Sequence, residues 1–280
     1  MRKFTSVLLA LVLCAALLCI GAAAADSEDA IEIDTPEELA KIGVDKEYPL
    51  DGNYILTADI NLGGDTNPWN PIGTFTGTFD GAGHTISGLY IVENRDPTSQ
   101  GSGLFSYLSS GGTIKNLTVK GDIYPENIGN SVGGVAGICN GGKISNCTSG
   151  VNIIGETQST VGGVVASAED GSPVENCRYT GTIDVTYNKN NNSMGMGGVV
   201  GQASDCTIRN CENAGTVQTN IWKGGIVGRN NGGAQVLNCR NSGIVESNNP
   251  AAGAGSGGIV GDNYGVIRDS YNASTGIVTG

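Results

Sequence analysis

One phrase returns six times along this chain: Gly-Gly-aliphatic-aliphatic-Gly, then, later in the same unit, aliphatic-x-Asn-Cys. It starts at Gly103, Gly133, Gly162, Gly197, Gly224 and Gly257, with small departures in some copies. Its asparagine position falls at Asn116, Asn146, Asn176, Asn210 and Asn238, with Asp269 in the last unit, at spacings of 30, 30, 34, 28 and 31 residues. Units this short cannot each enclose an apolar core, so the repeat demands a solenoid in which every unit buries its face against the next. The units are rich in Gly, Val, Ile, Thr and Asn and poor in helix formers, which predicts strands.

Each unit offers three short extended pieces, which in the second are Gly134-Val135-Ala136-Gly137, Lys143-Ile144-Ser145 and Cys147 through Ile153. Three pieces joined by corners describe a triangular coil, and stacked coils pair like strand with like, parallel and in register, ~4.8 Å apart. The six repeats and roughly two coils before them predict an all-β parallel β-helix solenoid of about eight coils and about 40 Å.

The repeated residues have assignable roles in such a coil. Paired glycines suit a sharp corner where a Cβ would clash. The aliphatic that follows (Val135, Val164, Val199, Ile226, Ile259) is expected to point inward. Asn116, Asn146, Asn176, Asn210 and Asn238 are expected at left-handed corners, each amide bonded to the next in a ladder. Cys147, Cys177, Cys211 and Cys239 share one repeat position and should form a column, flanked by Leu117 and Ser270. Free core thiols, disulfides and a metal site are the three readings of that column. The first is favoured, because no Cys-x-x-Cys spacing is present and pairing between in-register strands is sterically awkward. Cys139 and Cys206 fall at non-equivalent positions and are not expected to pair.

The remainder of the chain divides around this array. Residues 1–25 read as an export signal: Arg2 and Lys3, an apolar run from Val7 to Ile20, and Ala23-Ala24-Ala25 as the cleavage site. That run is shorter than the ~20 residues of a membrane span, and no later segment is a candidate. Neither Cys14 nor Cys19 follows the small residue that lipoprotein processing needs. Residues 26–50 form an acidic lead-in and a capping helix, with Thr35 as N-cap, Pro36 first in the helix, Glu38 closing a capping box, and an end near Gly43. Residues 51–102 supply the first coils and a polar loop over 93–102, and 103–280 the six repeats. The chain stops inside what should be the third strand of a coil, which leaves an uncapped edge suited to end-to-end association or to a following domain.

Composition narrows the function classes. Without the signal the chain has 13 Lys+Arg against 27 Asp+Glu, a net charge near −14, which disfavours nucleic acid and anionic membranes as partners. The chain has one histidine, His84, so a His-Glu-x-x-His zinc site is excluded, and a nucleophile–histidine pair would have to run through it. Asp80 is the carboxylate close in sequence that could bond its ring. Asp122, Asp184 and Glu246 lie near the ends of three units at unequal phases, a poor basis for a catalytic carboxylate pair. No catalytic residue, metal ligand or cofactor is assigned.

The tetrads Gly134-Val135-Ala136-Gly137, Gly198-Val199-Val200-Gly201, Gly225-Ile226-Val227-Gly228 and Gly258-Ile259-Val260-Gly261 resemble the GLUG motif of bacterial surface proteins. Gly103-Leu104-Phe105-Ser106 and Gly163-Val164-Val165-Ala166 lack its final glycine. The preceding Tyr54 to Leu62, Trp69-Asn70-Pro71-Ile72-Gly73 and Phe75 to Ile86 are similar to what comes before such repeats. The resemblance implies a right-handed parallel β-helix of the kind found in large exported proteins, including adhesins and the non-catalytic portion of an immunoglobulin A-cleaving metalloprotease. It transfers no catalytic residue. The expected function is an exported, non-catalytic surface scaffold or adhesin-like module that binds host or neighbour-cell glycan or protein through its face. Tyr90, Tyr107 and Trp222 are the exposed-aromatic candidates. The alternative is an extracellular polysaccharide lyase or glycosidase on the same fold.

Overall fold

The computed structural model describes residues 30–92, 101–126, 129–188, 194–249 and 254–280. Residues 1–25, read above as an export signal, and positions 93–100 of the expected polar loop, including Pro97, lie outside the described residues. The rest is a parallel β-helix in which every strand pairing is parallel.

Each coil has four walls rather than the three expected. In the second repeat these are β1 (Ser131–Gly133), β2 (Ala136–Asn140), β3 (Lys143–Ser145) and β4 (Thr148–Thr157), which begin walls one to four in that coil. The tetrad read as one strand is broken by a bend at Gly134 and Val135. Wall one contains six strands, wall two seven and wall three nine. Wall four contains twelve, because later coils split it into two short pieces such as Arg178–Tyr179 and Thr182–Tyr187. Wall three begins earlier than expected: Ile31–Ile33, in the acidic lead-in, pairs with Asn53–Leu56. Alternating Ile31 and Ile33 give that segment the period-two pattern of a strand.

The core is a set of stacked columns. Along wall three Tyr54, Phe79, Ile114, Ile144, Val174, Ile208 and Val236 lie one above another, all buried. At the bend, Val135, Val164, Val199 and Ile226 are fully buried, and Ile259 in the last coil is half-buried. The motif glycines owe their identity to close approach, not to a left-handed backbone. A Cβ on Gly162, Gly197 or Gly224 would lie 1.9 to 2.0 Å from the carbonyl oxygen three residues on, because the bend folds that carbonyl back over the α-carbon. A Cβ on the motif's last glycine would enter wall one of the preceding coil, 2.2 Å from the Met196 amide nitrogen for Gly228. Where Ser106 replaces that glycine, its hydroxyl donates to the Gly101 carbonyl at 2.9 Å.

The N-terminal end is closed. A single helical turn, α1 (Pro36–Leu39), has its Glu38 N–H bonded to Thr35 Oγ1, while Glu38 Oε2 accepts from the Asp34 N–H. The helix ends at Leu39 rather than near Gly43, and the turns that follow run to Gly43, whose left-handed φ of 79° redirects the chain. Leu39 and Ile42 are buried beneath this cap.

Candidate binding face

The repeated asparagines occupy the corner between walls three and four with φ of 51° to 55°. Each Nδ2 donates to the Oδ1 of the coil before it, at 3.1 Å for Asn146 to Asn116 and Asn176 to Asn146, 3.0 Å for Asn210 to Asn176 and 2.7 Å for Asn238 to Asn210. Asp80 starts the ladder by accepting from Asn116 at 2.9 Å. Asp269 has no amide to donate, so the ladder ends at Asn238. These side chains are spent on one another and offer a ligand little. Asn176→Gly keeps the left-handed corner but removes two amide bonds, and should cost about 1–2 kcal/mol in urea unfolding. An unchanged midpoint would show that the corner alone, not the ladder, stabilises the stack.

Cys147, Cys177, Cys211 and Cys239 are buried free thiols on one column, each Sγ 3.2 to 3.3 Å from the carbonyl oxygen two residues earlier. Cys139 and Cys206 are also free, and burial pushes their thiols up to about 11 and about 12. They stay protonated and are poor nucleophiles. Among the described residues no group of three or more His, Cys, Asp or Glu could hold a metal ion.

A second set of asparagines was not anticipated. Asn213 and Asn241 are fully buried on the inner face of wall four, where Asn213 Nδ2 donates to Asn241 Oδ1 at 2.8 Å and Asn241 Nδ2 to Asn272 Oδ1 at 2.6 Å. Asn230, also fully buried, donates to Asn263 at 2.7 Å on wall two. The signal was present: Asn213 and Asn241 follow Cys211 and Cys239 by two residues, and a strand returns to the same face every second residue.

The candidate catalytic groups are not brought together. His84 Nδ1 lies 3.1 Å from Asp59 Oδ1, not against Asp80, which is taken up by Asn116, Lys115 and the Ala82 N–H. Asp184 and Glu246 share a column with Gln218 between them, while Asp122 belongs to the neighbouring column beside Asn152. The three aromatic candidates are also separated, with Tyr90 on wall four, Tyr107 on wall two and Trp222 on wall one.

Tyr90 does have a partner that sequence reasoning passed over. Its ring and that of Tyr124 have centroids 5.6 Å apart, tilted by 56°, on the outer face of wall four. Ile154, 38% exposed, follows Tyr124 in the stack, and Asp122 lies between Tyr90 and Asn152 in the adjacent column, accepting from Asn152 Nδ2 at 2.9 Å. Partial burial, then Asp122, Tyr90 and Asp65, raise the Tyr124 phenol, so it stays protonated and able to donate. Neither phenol hydroxyl has a hydrogen-bond partner among the described residues. Together they form an apolar, half-exposed face with polar groups at its margin.

A cleft of about 470 Å³ lies beside the N-terminal cap, lined by Pro36, Glu37, Pro68, Trp69, Asn70 and Pro71 among others. Its polar groups are largely committed to the fold: the Trp69 indole N–H donates to the Leu104 carbonyl at 3.1 Å and Asn67 Nδ2 to the Leu62 carbonyl at 3.1 Å.

Comparison with known proteins agrees with this architecture. The GLUG motif family matches residues 192–218. Halomucin of Haloquadratum walsbyi is 35% identical over 127 residues, covering 40% of this chain and 1% of halomucin. A Bacteroides ovatus structure assigned as an immunoglobulin A1 protease superposes with a TM-score of 0.57 at 19% identity, over 85% of this chain and 84% of that one. A second structure, named IgA1 Protease, gives 0.56 at 20% identity over 91% of this chain and 20% of its own length. This chain is a parallel β-helix that carries a match to the GLUG motif at residues 192–218 and whose fold resembles the two immunoglobulin A1 protease structures.

Proposed function

We propose that this protein is an exported, non-catalytic scaffold of the cell surface that holds a neutral glycan on the tyrosine face of wall four. The GLUG motif and the partial match to halomucin support a surface setting, and the apolar signal-like run from Val7 to Ile20 supports export. The observation that carries the binding role is the Tyr90–Tyr124 pair with Asp122 and Asn152 beside it. Tyrosine rings supply apolar area to the C–H faces of a sugar while their hydroxyls and the neighbouring amide reach its hydroxyls. A net charge of −12 over the full chain disfavours polyanionic polysaccharides.

Titration calorimetry with neutral oligosaccharides is the direct test. Tyr124→Ala should weaken binding at least about tenfold, equivalent to ~1.4 kcal/mol, while Tyr107→Ala on wall two should leave it unchanged. Absence of binding to every neutral glycan, or equal loss in both variants, would refute the assignment.

A further inference from the structure

Polar side chains on adjacent coils satisfy one another at the corner of walls three and four. The asparagine ladder does so there, and beside it Glu212 accepts from Arg178 at 3.3 Å and from Arg240 at 3.1 Å. The middle of wall four departs from that pattern. Thr182 and Asp184 lie in register with Thr216 and Gln218, all four partly exposed, yet none of these side chains forms a hydrogen bond or ion pair among the described residues. Their inward alternates Ile183, Val185 and Val217 are fully buried, so a rigid strand pair holds these donors and acceptors open to solvent.

These groups continue the tyrosine face. One column runs Tyr90, Asp122, Asn152, Thr182 and Thr216, with Asn152 Oδ1 accepting from the Thr182 N–H at 3.1 Å. The column beside it runs Tyr124, Ile154, Asp184 and Gln218. At ~4.8 Å per coil the two columns form a strip about 20 Å long, aromatic at one end and hydrogen-bonding at the other.

Repeat length varies along one edge of this strip. From the wall-one glycine (Gly103, Gly133, Gly162, Gly197 or Gly224) to the corner asparagine takes 13 or 14 residues. From that asparagine, through wall four, to the next wall-one glycine takes 14 to 21. Insertions gathered on one side of a solenoid mark the side where loops can be shaped for a ligand without disturbing the stack.

A ligand that uses the whole strip must be linear and must advance one unit per coil. An extended ribbon of equatorially linked hexopyranoses does this, because one such sugar is close in length to the coil spacing. A wound glycan chain leaves the strip after a sugar or two. We propose, resting on the tyrosine-face reading above, that wall four binds a ribbon-like neutral glycan along the helix axis, one sugar per coil. Tyr90 and Tyr124 stack on its ring faces, and Thr182, Asp184, Thr216 and Gln218 meet the hydroxyls of the sugars that follow.

Titration calorimetry with β-1,4-linked gluco- and manno-oligosaccharides of two to six residues tests the track. In at least one series the hexasaccharide should bind at least about tenfold tighter than the disaccharide. Gln218→Ala and Thr182→Val should each weaken hexasaccharide binding about three- to tenfold, the worth of one hydrogen bond, and leave the disaccharide unaffected. Tyr124→Ala should weaken both. Equal affinity for disaccharide and hexasaccharide, or Gln218→Ala and Thr182→Val variants that both bind the hexasaccharide like wild type, would overturn the track while the tyrosine site stands. Binding of neither series would also overturn it, and other neutral glycans then decide the tyrosine reading separately.

Discussion

Gly197→Ala should destabilise the protein by more than about 4 kcal/mol, the range reserved for substitutions with a specific steric cause. Its Cβ would sit 1.9 Å from the Val200 carbonyl oxygen, with the Gly228 amide nitrogen at 2.7 Å and the Val200 carbonyl carbon at 2.8 Å. All three are backbone atoms, so no rotamer change relieves the overlap. The bend at Gly198 and Val199 would have to open, which pulls Val199 from the core, and the Gly228 nitrogen belongs to the coil above. In a solenoid each coil is held only by its neighbours, so damage at the fourth repeat should also divide one unfolding transition into two. The control is Gly232→Ala, where an added methyl meets nothing within 4 Å and φ is ordinary. It should stay within about 0.5 kcal/mol of wild type. Denaturant unfolding followed by circular dichroism separates the two cases. A Gly197→Ala protein that unfolds like Gly232→Ala would mean that the bend is soft.

Much of this architecture is written in the period. Columns such as Ile114, Ile144, Val174 and Ile208 follow from spacing alone, because equal positions in stacked coils must coincide. The fourth wall does not follow, since Gly134-Val135-Ala136-Gly137 looks like one apolar strand while its bend carries no turn residue except glycine. The inner asparagines were hidden for another reason. Asn213 and Asn241 keep the parity of the buried cysteines, but a polar residue inside a core contradicts the ordinary expectation for burial, and only its neighbour in the next coil satisfies it. Tyr124 was invisible as a partner for Tyr90 because their pairing depends on wall-four register, which shifts between Val119 and Gly121. His84 found Asp59 rather than Asp80 because contacts between coils outrank proximity along the chain. Repetition thus specifies the columns, whereas surface clusters arise from residues that the repeat leaves free.

Lys223→Met should stabilise the protein by about 1–4 kcal/mol near neutral pH, the range seen when buried ionic groups give way to apolar side chains of similar volume. Lys223 is fully buried and stands in a wall-one column after Val132, Val161 and Met196, with Ser256 following. Its Nζ donates to the Ile221 carbonyl at 3.3 Å, and no carboxylate faces it among the ion pairs of the described residues. Burial therefore depresses its pKa below the usual lysine value. The sign of the linkage follows from that direction. Between the folded pKa and the unfolded value of ~10.4, the unfolded chain holds the proton and the folded chain does not, so the wild type gains stability as pH rises through this window. Below the folded pKa both states are protonated and the cost of burying the ammonium is carried in full. Methionine carries no such cost and extends the column begun by Met196. The difference in unfolding free energy between Lys223→Met and wild type should accordingly be largest near neutral pH and shrink toward pH ~10, while other titrating groups cancel between the two proteins. A difference that is negative, or constant with pH, would place the ammonium in contact with water.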